Sequence, residues 1–147
     1  MISRLLNASL IRRLPSTFTN NNWLLGMGGL TFGIVVVGGL TRLTESGLSI
    51  TEWNLIKGMK YPSSPSEWEV EFEKYRQSPE YHKLNHHMTV DEFKNIYFME
   101  WFHRMWGRFI GLAFLGPLAY FWAKGKLAPS LKPKLLTLGG LIGFQVI

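Results

Sequence analysis

Glu100 and His103 are the two residues of this sequence whose types and spacing best support chemistry. They stand three positions apart, so on an α-helix both side chains lie on one face. Gly107 and Gly111 continue that face and leave a strip of helix without side chains. A planar macrocycle such as a porphyrin fits against such a strip, with the His103 imidazole within reach of its iron. The spacing equally suits an interfacial histidine followed by two helix-packing glycines, so it leaves both interpretations open.

Two arginines follow the histidine on the same segment, Arg104 and Arg108. They are either lipid-headgroup anchors or cations for the propionates of a porphyrin. On an ideal helix Arg108 lies about 7.5 Å deeper than His103. Because an arginine at the bilayer centre costs about 2.5–3.5 kcal/mol on insertion scales, we expect Arg108 to face protein or a propionate.

The remaining histidines, His82, His86 and His87, form a weak metal motif. His82 and His86 are four positions apart, but no cysteine or carboxylate completes a tetrahedral set at the usual spacing. We therefore interpret this stretch as a solvated loop. The absence of cysteine also excludes disulfides, thiolate metal sites and a cysteine nucleophile within this segment.

Apolar runs place these residues in a membrane protein. Residues 23–40 carry no charge and are long enough for a first transmembrane helix, in which Gly29 and Gly33 form either a GxxxG packing motif or generic glycine richness. Residues 109–123 are too short alone, so we place a second transmembrane helix at 101–123 and the start of a third at 135–147. The sequence predicts an all-α, polytopic transmembrane helix bundle. Since the last run stops without a cap or anchor, we expect a fragment of a longer protein.

Charge predicts the orientation of these helices. All ten acidic residues fall between Glu45 and Glu100, whereas basic residues flank the apolar runs. By the positive-inside rule, residues 41–100 form an outer, intermembrane-space loop and residues 124–134 a matrix-side loop. Residues 1–18, basic and free of acid, resemble a mitochondrial presequence, with a basic bacterial tail as the alternative. The dispersed basic residues argue against a nucleic-acid partner.

Helix signals also occur within the outer loop. Ser64 and Glu67 form a capping box around a proline, and they precede an aromatic stripe that would rest on the membrane or on protein: Trp68, Phe72 and Tyr75. Thr89 and Glu92 repeat the box and open a pattern that predicts one helix from about Val90 to about Ala123.

Two blocks, GGLTRLTESGLSITEWNLIKGMKYP at residues 38–62 and LNHHMTVDEFKNIYFMEWFHRMWGR at residues 84–108, closely resemble the heme A synthase family of the mitochondrial and alphaproteobacterial type. The resemblance covers about residues 23–147. It implies eight transmembrane helices in two four-helix halves, of which this chain supplies two and the start of a third. It also implies a location in the mitochondrial inner membrane, with the bacterial plasma membrane as the alternative.

The resemblance implies an activity as well: oxidation of a porphyrin methyl group of heme O to a formyl group, giving heme A for cytochrome c oxidase, with heme b as bound cofactor. Glu100 and His103 match the family's Glu-x-x-His motif, which makes His103 an axial ligand of heme iron. We assign the cofactor-binding role to this histidine and five further residues: Arg42, Arg104, Gly107, Arg108 and Gly111. Our hypothesis is that Glu100 is catalytic; alternatively it caps the helix or pairs with Arg104.

Partners follow from the same resemblance: heme O as substrate, membrane lipid, a ferredoxin-type electron donor and heme O synthase. A homo-oligomer is left open, and we expect the fragment alone to be inactive. Two other classes stay as alternatives, a non-catalytic b-type cytochrome or heme-delivery module, and, with weaker support, a transporter.

Overall fold

The computed structural model describes residues 14–54 and 60–146. They form five α-helices joined by turns and loops, and this described part contains no strand, which confirms the all-α expectation. The helices are α1 Leu14–Leu43, α2 Pro65–Arg76, α3 Pro79–Lys83, α4 Val90–Ala123 and α5 Lys132–Val146. The predicted presequence lies largely outside the described residues, and its last five positions belong to α1.

Helix α1 contains the candidate membrane span. Its segment Asn21–Leu43 is long and apolar enough to cross a bilayer, and it is the single described helix that meets this test of length and composition. The helix ends in a Schellman motif: Ser46 N–H donates to Thr41 O and Glu45 N–H to Arg42 O, with Glu45 at a φ of 52°. The chain thereby turns sharply at the predicted start of the outer loop. The second and third spans stay predictions.

Helix α4 has the bounds that the capping box and the uninterrupted pattern predict. Thr89 Oγ1 accepts from Glu92 N–H at 3.4 Å and Glu92 Oε2 accepts from Thr89 N–H at 2.8 Å, so the box is formed on both sides. The helix has 34 residues and contains Pro117. An ideal helix of this length measures about 50 Å, at about 1.5 Å per residue. Glu100 and His103 both lie in its first half.

The fold divides into two compact units, and the unit of Gly33–Arg108 contains most of the segment that the sequence predicts to be the outer loop. Its core is a cluster of aromatic residues with one isoleucine: Ile50, Trp68, Phe72, Tyr75, Phe93 and Tyr97. Tyr75 and Phe93 stack with ring centroids 5.1 Å apart. The aromatic face of α2 therefore rests on protein, the second of the two surfaces that the sequence allowed.

The second unit combines the part of α1 before Gly33 with the part of α4 after Arg108 and with α5. The Trp23 ring packs on Phe114 and Phe121, with centroids 5.7 and 5.6 Å away. Gly139 of α5 brings its backbone against Phe114, whose Cε1 lies 3.4 Å from the position of an added Cβ. Helix α5 begins three residues before the predicted third span, at Lys132.

Candidate functional site

Glu100 lies at the centre of a buried polar network in the unit Gly33–Arg108. Only 3% of the residue is exposed. Its Oε2 accepts two hydrogen bonds, from Ser49 Oγ at 2.7 Å and from Ile50 N–H at 2.8 Å. Its Oε1 accepts a third from Arg104 Nη2 at 2.6 Å. Three converging donors suit an acceptor-only carboxylate and compensate its burial.

The two arginines after His103 bind backbone carbonyls of the segment that follows α1, residues 49–54, which we call the strap. Arg104 donates to Ile50 O and Glu52 O, both at 3.0 Å. Arg108 donates to Asn54 O at 2.9 Å. Because Glu100 also binds the start of the strap, a single row at i, i+4 and i+8 on α4 fixes this loop. The arginines thus face protein, one of the two outcomes expected for Arg108.

Side chains of the strap add two further contacts. The Trp53 ring, more than half exposed, lies with its centroid 4.9 Å from the Arg104 guanidinium carbon. Glu52 Oε1 lies 3.2 Å from Lys74 Nζ of α2. Lys74 also contacts Glu71, and that hydrogen bond, followed by the one to Glu52, raises the lysine pKa. The strap is therefore held between α4 and α2.

His103 lies half-buried on α4 with its ring against α1. Its Nε2 is 3.1 Å from the position that a Cβ of Gly38 would occupy, so a side chain at position 38 would crowd the ring. Gly33, further along α1, lies under Trp106, whose Cζ2 is 2.7 Å from the corresponding Cβ position. Close packing therefore depends on Gly33 and Gly38. For the predicted partner Gly29, no described atom lies within 4 Å of its Cβ position, so its part in the GxxxG contact is not formed here.

The other residues that the sequence assigns to cofactor binding do not cluster around His103. Gly107 lies near α1, with Ile34 Cδ1 3.6 Å from its Cβ position. Gly111 belongs to the second unit, and no described atom comes within 4 Å of its Cβ position. Arg42 is exposed in the last turn of α1, and the network around Glu100 forms without it.

The three loop histidines form no metal cluster. His82 is in α3, whereas His86 and His87 follow it and contact each other through ring nitrogens 3.1 Å apart. Among the described residues, no group of three or more histidine, aspartate or glutamate side chains is placed to hold a metal ion. The predicted solvated loop is present at His86 and His87, whereas His82 belongs to a short helix.

Tyr97 extends the buried surroundings of Glu100 by one helical turn towards the aromatic cluster. Burial raises the pKa of its phenol to about 12. The phenol therefore stays protonated at physiological pH, and its ring packs edge-on against Trp68 with centroids 5.2 Å apart. The aromatic cluster and the polar network are thus continuous along α4.

Sequence reasoning missed the strap and Gly38 as parts of this site, whereas it named Gly33 as a packing residue. The four-residue spacing of Glu100, Arg104 and Arg108 is a signal that could have revealed a common partner on one face of α4. Ser49 carries no such signal, since a serine in a loop matches many roles. Nor could Gly38 be distinguished in sequence from Gly39, its neighbour.

Comparison with known proteins places the chain in a family. Residues 21–147 match the COX15-CtaA family, which is described as cytochrome oxidase assembly protein. The chain belongs to this family. No solved structure matches the chain significantly.

Relatives in the COX15-CtaA family come from mitochondria-bearing organisms and from bacteria. The chain is 58% identical over 123 residues to heme A synthase COX15 of Bos taurus, covering 84% of this chain and 30% of that protein. It is 52% identical over 125 residues to heme A synthase of Rhodospirillum centenum, covering 83% and 33%. It is 57% identical to a heme A synthase–mitochondrial ferredoxin fusion protein of Schizosaccharomyces pombe, covering 84% and 20%. The chain thus spans about a third or less of each of these relatives.

The residues around His103 fit a heme in their chemical type. An imidazole is a common axial ligand of heme iron, and here it is half-buried beside a position without a side chain, Gly38. Arg104 uses three hydrogen bonds in the network, which leaves some of the five guanidinium N–H donors for a propionate.

Proposed function

We propose that the chain is the N-terminal part of a heme A synthase, which oxidises a porphyrin methyl group of heme O to the formyl group of heme A. The observation that carries the proposal is the pairing of a buried carboxylate, Glu100, with a half-buried imidazole, His103, one turn later on α4. Family membership and the names of the relatives support the same activity.

The proposed reaction removes four electrons from the methyl carbon. With a ferredoxin-type donor and molecular oxygen as the oxidant, a methyl group, two molecules of O2, four electrons and four protons give a formyl group and three waters. A bound heme b would supply the redox chemistry, since amino-acid side chains do not carry such steps themselves. His103 would hold a heme through its imidazole, and Arg104 and Arg108, which hold the strap, would supply positive charge for its propionates. Glu100, through the remaining lone pair of Oε1, accepts a proton released from the methyl carbon or stabilises positive charge developing there.

Partners and location belong to the same proposal. Heme O comes from heme O synthase, and the electrons pass through a ferredoxin-type carrier, for which the Schizosaccharomyces pombe relative with a ferredoxin in its name is the support. The protein spans the mitochondrial inner membrane several times. The span in α1 and the basic residues that flank the apolar runs support this topology.

The experiment uses the full-length protein in cells that lack their own heme A synthase. Extracted hemes are separated by chromatography, and heme bound to the purified protein is measured by its reduced absorbance bands. We expect Glu100→Gln to retain bound heme but to lose heme A, and His103→Ala to lose one bound heme. Glu92→Gln, a change in the exposed cap of the same helix, serves as the control. Normal heme A production by Glu100→Gln would contradict the catalytic assignment.

One observation favours a second candidate, a non-catalytic heme-binding or heme-delivery module. Glu100 already accepts hydrogen bonds from three donors of the protein, as a purely structural carboxylate would. Such a module would bind heme with the same absorbance bands and would produce no heme A with the wild-type sequence. The heme extraction described above separates the two candidates.

A further inference from the structure

The orientation of the Glu100 carboxylate is fixed from the loop, by the first two residues of the strap. The last torsion of a glutamate side chain is broad and roughly two-fold, so the helix alone does not select one carboxylate plane. Here Ser49 Oγ and Ile50 N–H both donate to Oε2, while Arg104 donates to Oε1. Donors on both oxygens select one plane.

Ser49 is buried, and its hydroxyl lies close to the Glu100 carboxylate. The residue is 2% exposed, and its hydroxyl lies 2.7 Å from Glu100 Oε2 but 3.3 Å from the carbonyl oxygen of Ile96. A hydroxyl has one proton to donate, and the shorter contact is the one to the charged acceptor. The backbone N–H of Ile50 can be removed only by proline, which also fixes φ. Ser49 is therefore the member of the pair on Oε2 that a conservative substitution can change.

The geometry leaves one acceptor position on the carboxylate for chemistry. An ionised carboxylate offers about four lone-pair sites. Three of them are used by the donors described above, two on Oε2 and one on Oε1. The remaining site on Oε1 is therefore the only one that can meet a substrate while this network persists, and its direction depends on the fixed plane.

We propose that Ser49 is a positioning residue for the methyl oxidation: its hydroxyl orients the Glu100 carboxylate so that the remaining Oε1 lone pair faces the substrate. This inference rests on the proposed function. Ser49 need not touch heme, because it acts through Glu100. Its loss would leave a single donor on Oε2 and allow the carboxylate to rotate out of the productive plane.

The test compares variants of the full-length protein in cells without another heme A synthase. Ser49→Ala removes the hydroxyl, and Ser49→Thr keeps it. The matched control is Ser46→Ala, in the same loop, because Ser46 is fully buried and its hydroxyl bonds only within the loop, to Thr44 at 2.7 and 3.2 Å. For each protein, heme bound per protein and the ratio of heme A to heme O are measured.

We expect Ser49→Ala to retain wild-type heme occupancy and absorbance bands while heme A formation falls by about ten- to a hundredfold, the range for one lost hydrogen bond to a charged group. Ser49→Thr should restore formation, and Ser46→Ala should leave it unchanged. Heme A formation by Ser49→Ala at the wild-type rate would overturn the inference, as would loss of bound heme together with heme A, which marks a merely structural serine. A wild-type protein that makes no heme A would overturn the proposed function itself, and with it the positioning role of Ser49.

Discussion

The indole Nε1 of Trp23 in α1 donates a hydrogen bond to the carbonyl oxygen of Ala113 in α4 at 3.0 Å. This carbonyl is available because Pro117, four residues later, has no N–H to donate to it. In a bilayer such a carbonyl has no water partner, so leaving it unsatisfied is unfavourable. The tryptophan side chain replaces the missing bond of the helix.

Trp23→Phe should therefore destabilise the full-length protein by about 1 kcal/mol, the typical net value of one hydrogen bond. In a Pro117→Ala background the same change should have a much smaller effect, because the new alanine N–H bonds to the Ala113 carbonyl. Thermal unfolding in detergent of the two single variants and the double variant gives this coupling energy. Trp122→Phe, a change at the exposed ring facing Lys132, serves as control. Additive effects of the two changes would disprove the coupling.

Regular features of this fold were predictable from sequence because local signals determine them. The capping boxes at Ser64 and Thr89 and the unbroken pattern of α4 predicted helix starts and a helix length that the structure confirms. The partner of the Glu100 row was not predictable, since a loop that follows α1 binds α4 some fifty residues further along. Such contacts depend on tertiary geometry that propensity and periodicity do not encode.

The glycines of α1 also show which features are predictable from local sequence and which depend on tertiary packing. A GxxxG spacing indicated that α1 is approached closely, and Gly33 does lie under Trp106. Which further glycine meets a neighbour depends on the crossing angle and register of two helices. In the structure that position is Gly38, outside the predicted motif, where His103 lies.

Arg104→Lys should loosen the strap although charge is conserved. The guanidinium reaches three acceptors at once: Ile50 O, Glu52 O and Glu100 Oε1. A lysine ammonium is a compact point donor that cannot span this set. We expect a loss of about 1–3 kcal/mol, because lysine leaves an acceptor of the buried residues Ile50 and Glu100 unsatisfied. Hydrogen exchange of peptides covering residues 49–54 should be faster in Arg104→Lys.

Arg76→Lys, which affects an exposed ion pair with Glu73, is the matched control and should leave these peptides protected. Unchanged protection in Arg104→Lys would rule out this holding role.

Glu67 should make the stability of the outer loop depend on acidic pH. Its hydrogen bond from the Lys60 ammonium, followed by that from Ser63 N–H, lowers its pKa from 4.5 to about 2. Because the folded pKa is depressed, the stabilisation is fully present above about pH 4.5 and is lost as pH falls towards 2. The difference in melting temperature between wild type and Glu67→Gln should therefore shrink as pH falls from 6 to about 3. Glu69→Gln, on the exposed side of α2 outside the cap, is the matched control variant. A gap that is constant over this range would exclude the linkage.

Gly38 and Gly39 provide a test of the heme ligand that does not depend on turnover. Gly→Ala favours a helix by up to about 1 kcal/mol at either position. Only at position 38 would the new Cβ meet a neighbour, His103 Nε2 at 3.1 Å, whereas no described atom lies within 4 Å of a Cβ at position 39. If His103 holds heme iron, Gly38→Ala should displace the imidazole and weaken heme binding by about 1–3 kcal/mol, the usual cost of overpacking.

Heme titration of the purified full-length variants, followed by absorbance, measures this difference. Gly39→Ala should bind heme like the wild type, because its added methyl group has space and the two substitutions are chemically identical. Equal heme affinity and equal absorbance bands in both variants would mean that the His103 ring contacting Gly38 is not the ring that binds iron. Weaker binding in Gly38→Ala alone, with an unchanged melting temperature of the heme-free protein, would place the iron ligand at the contact between α1 and α4.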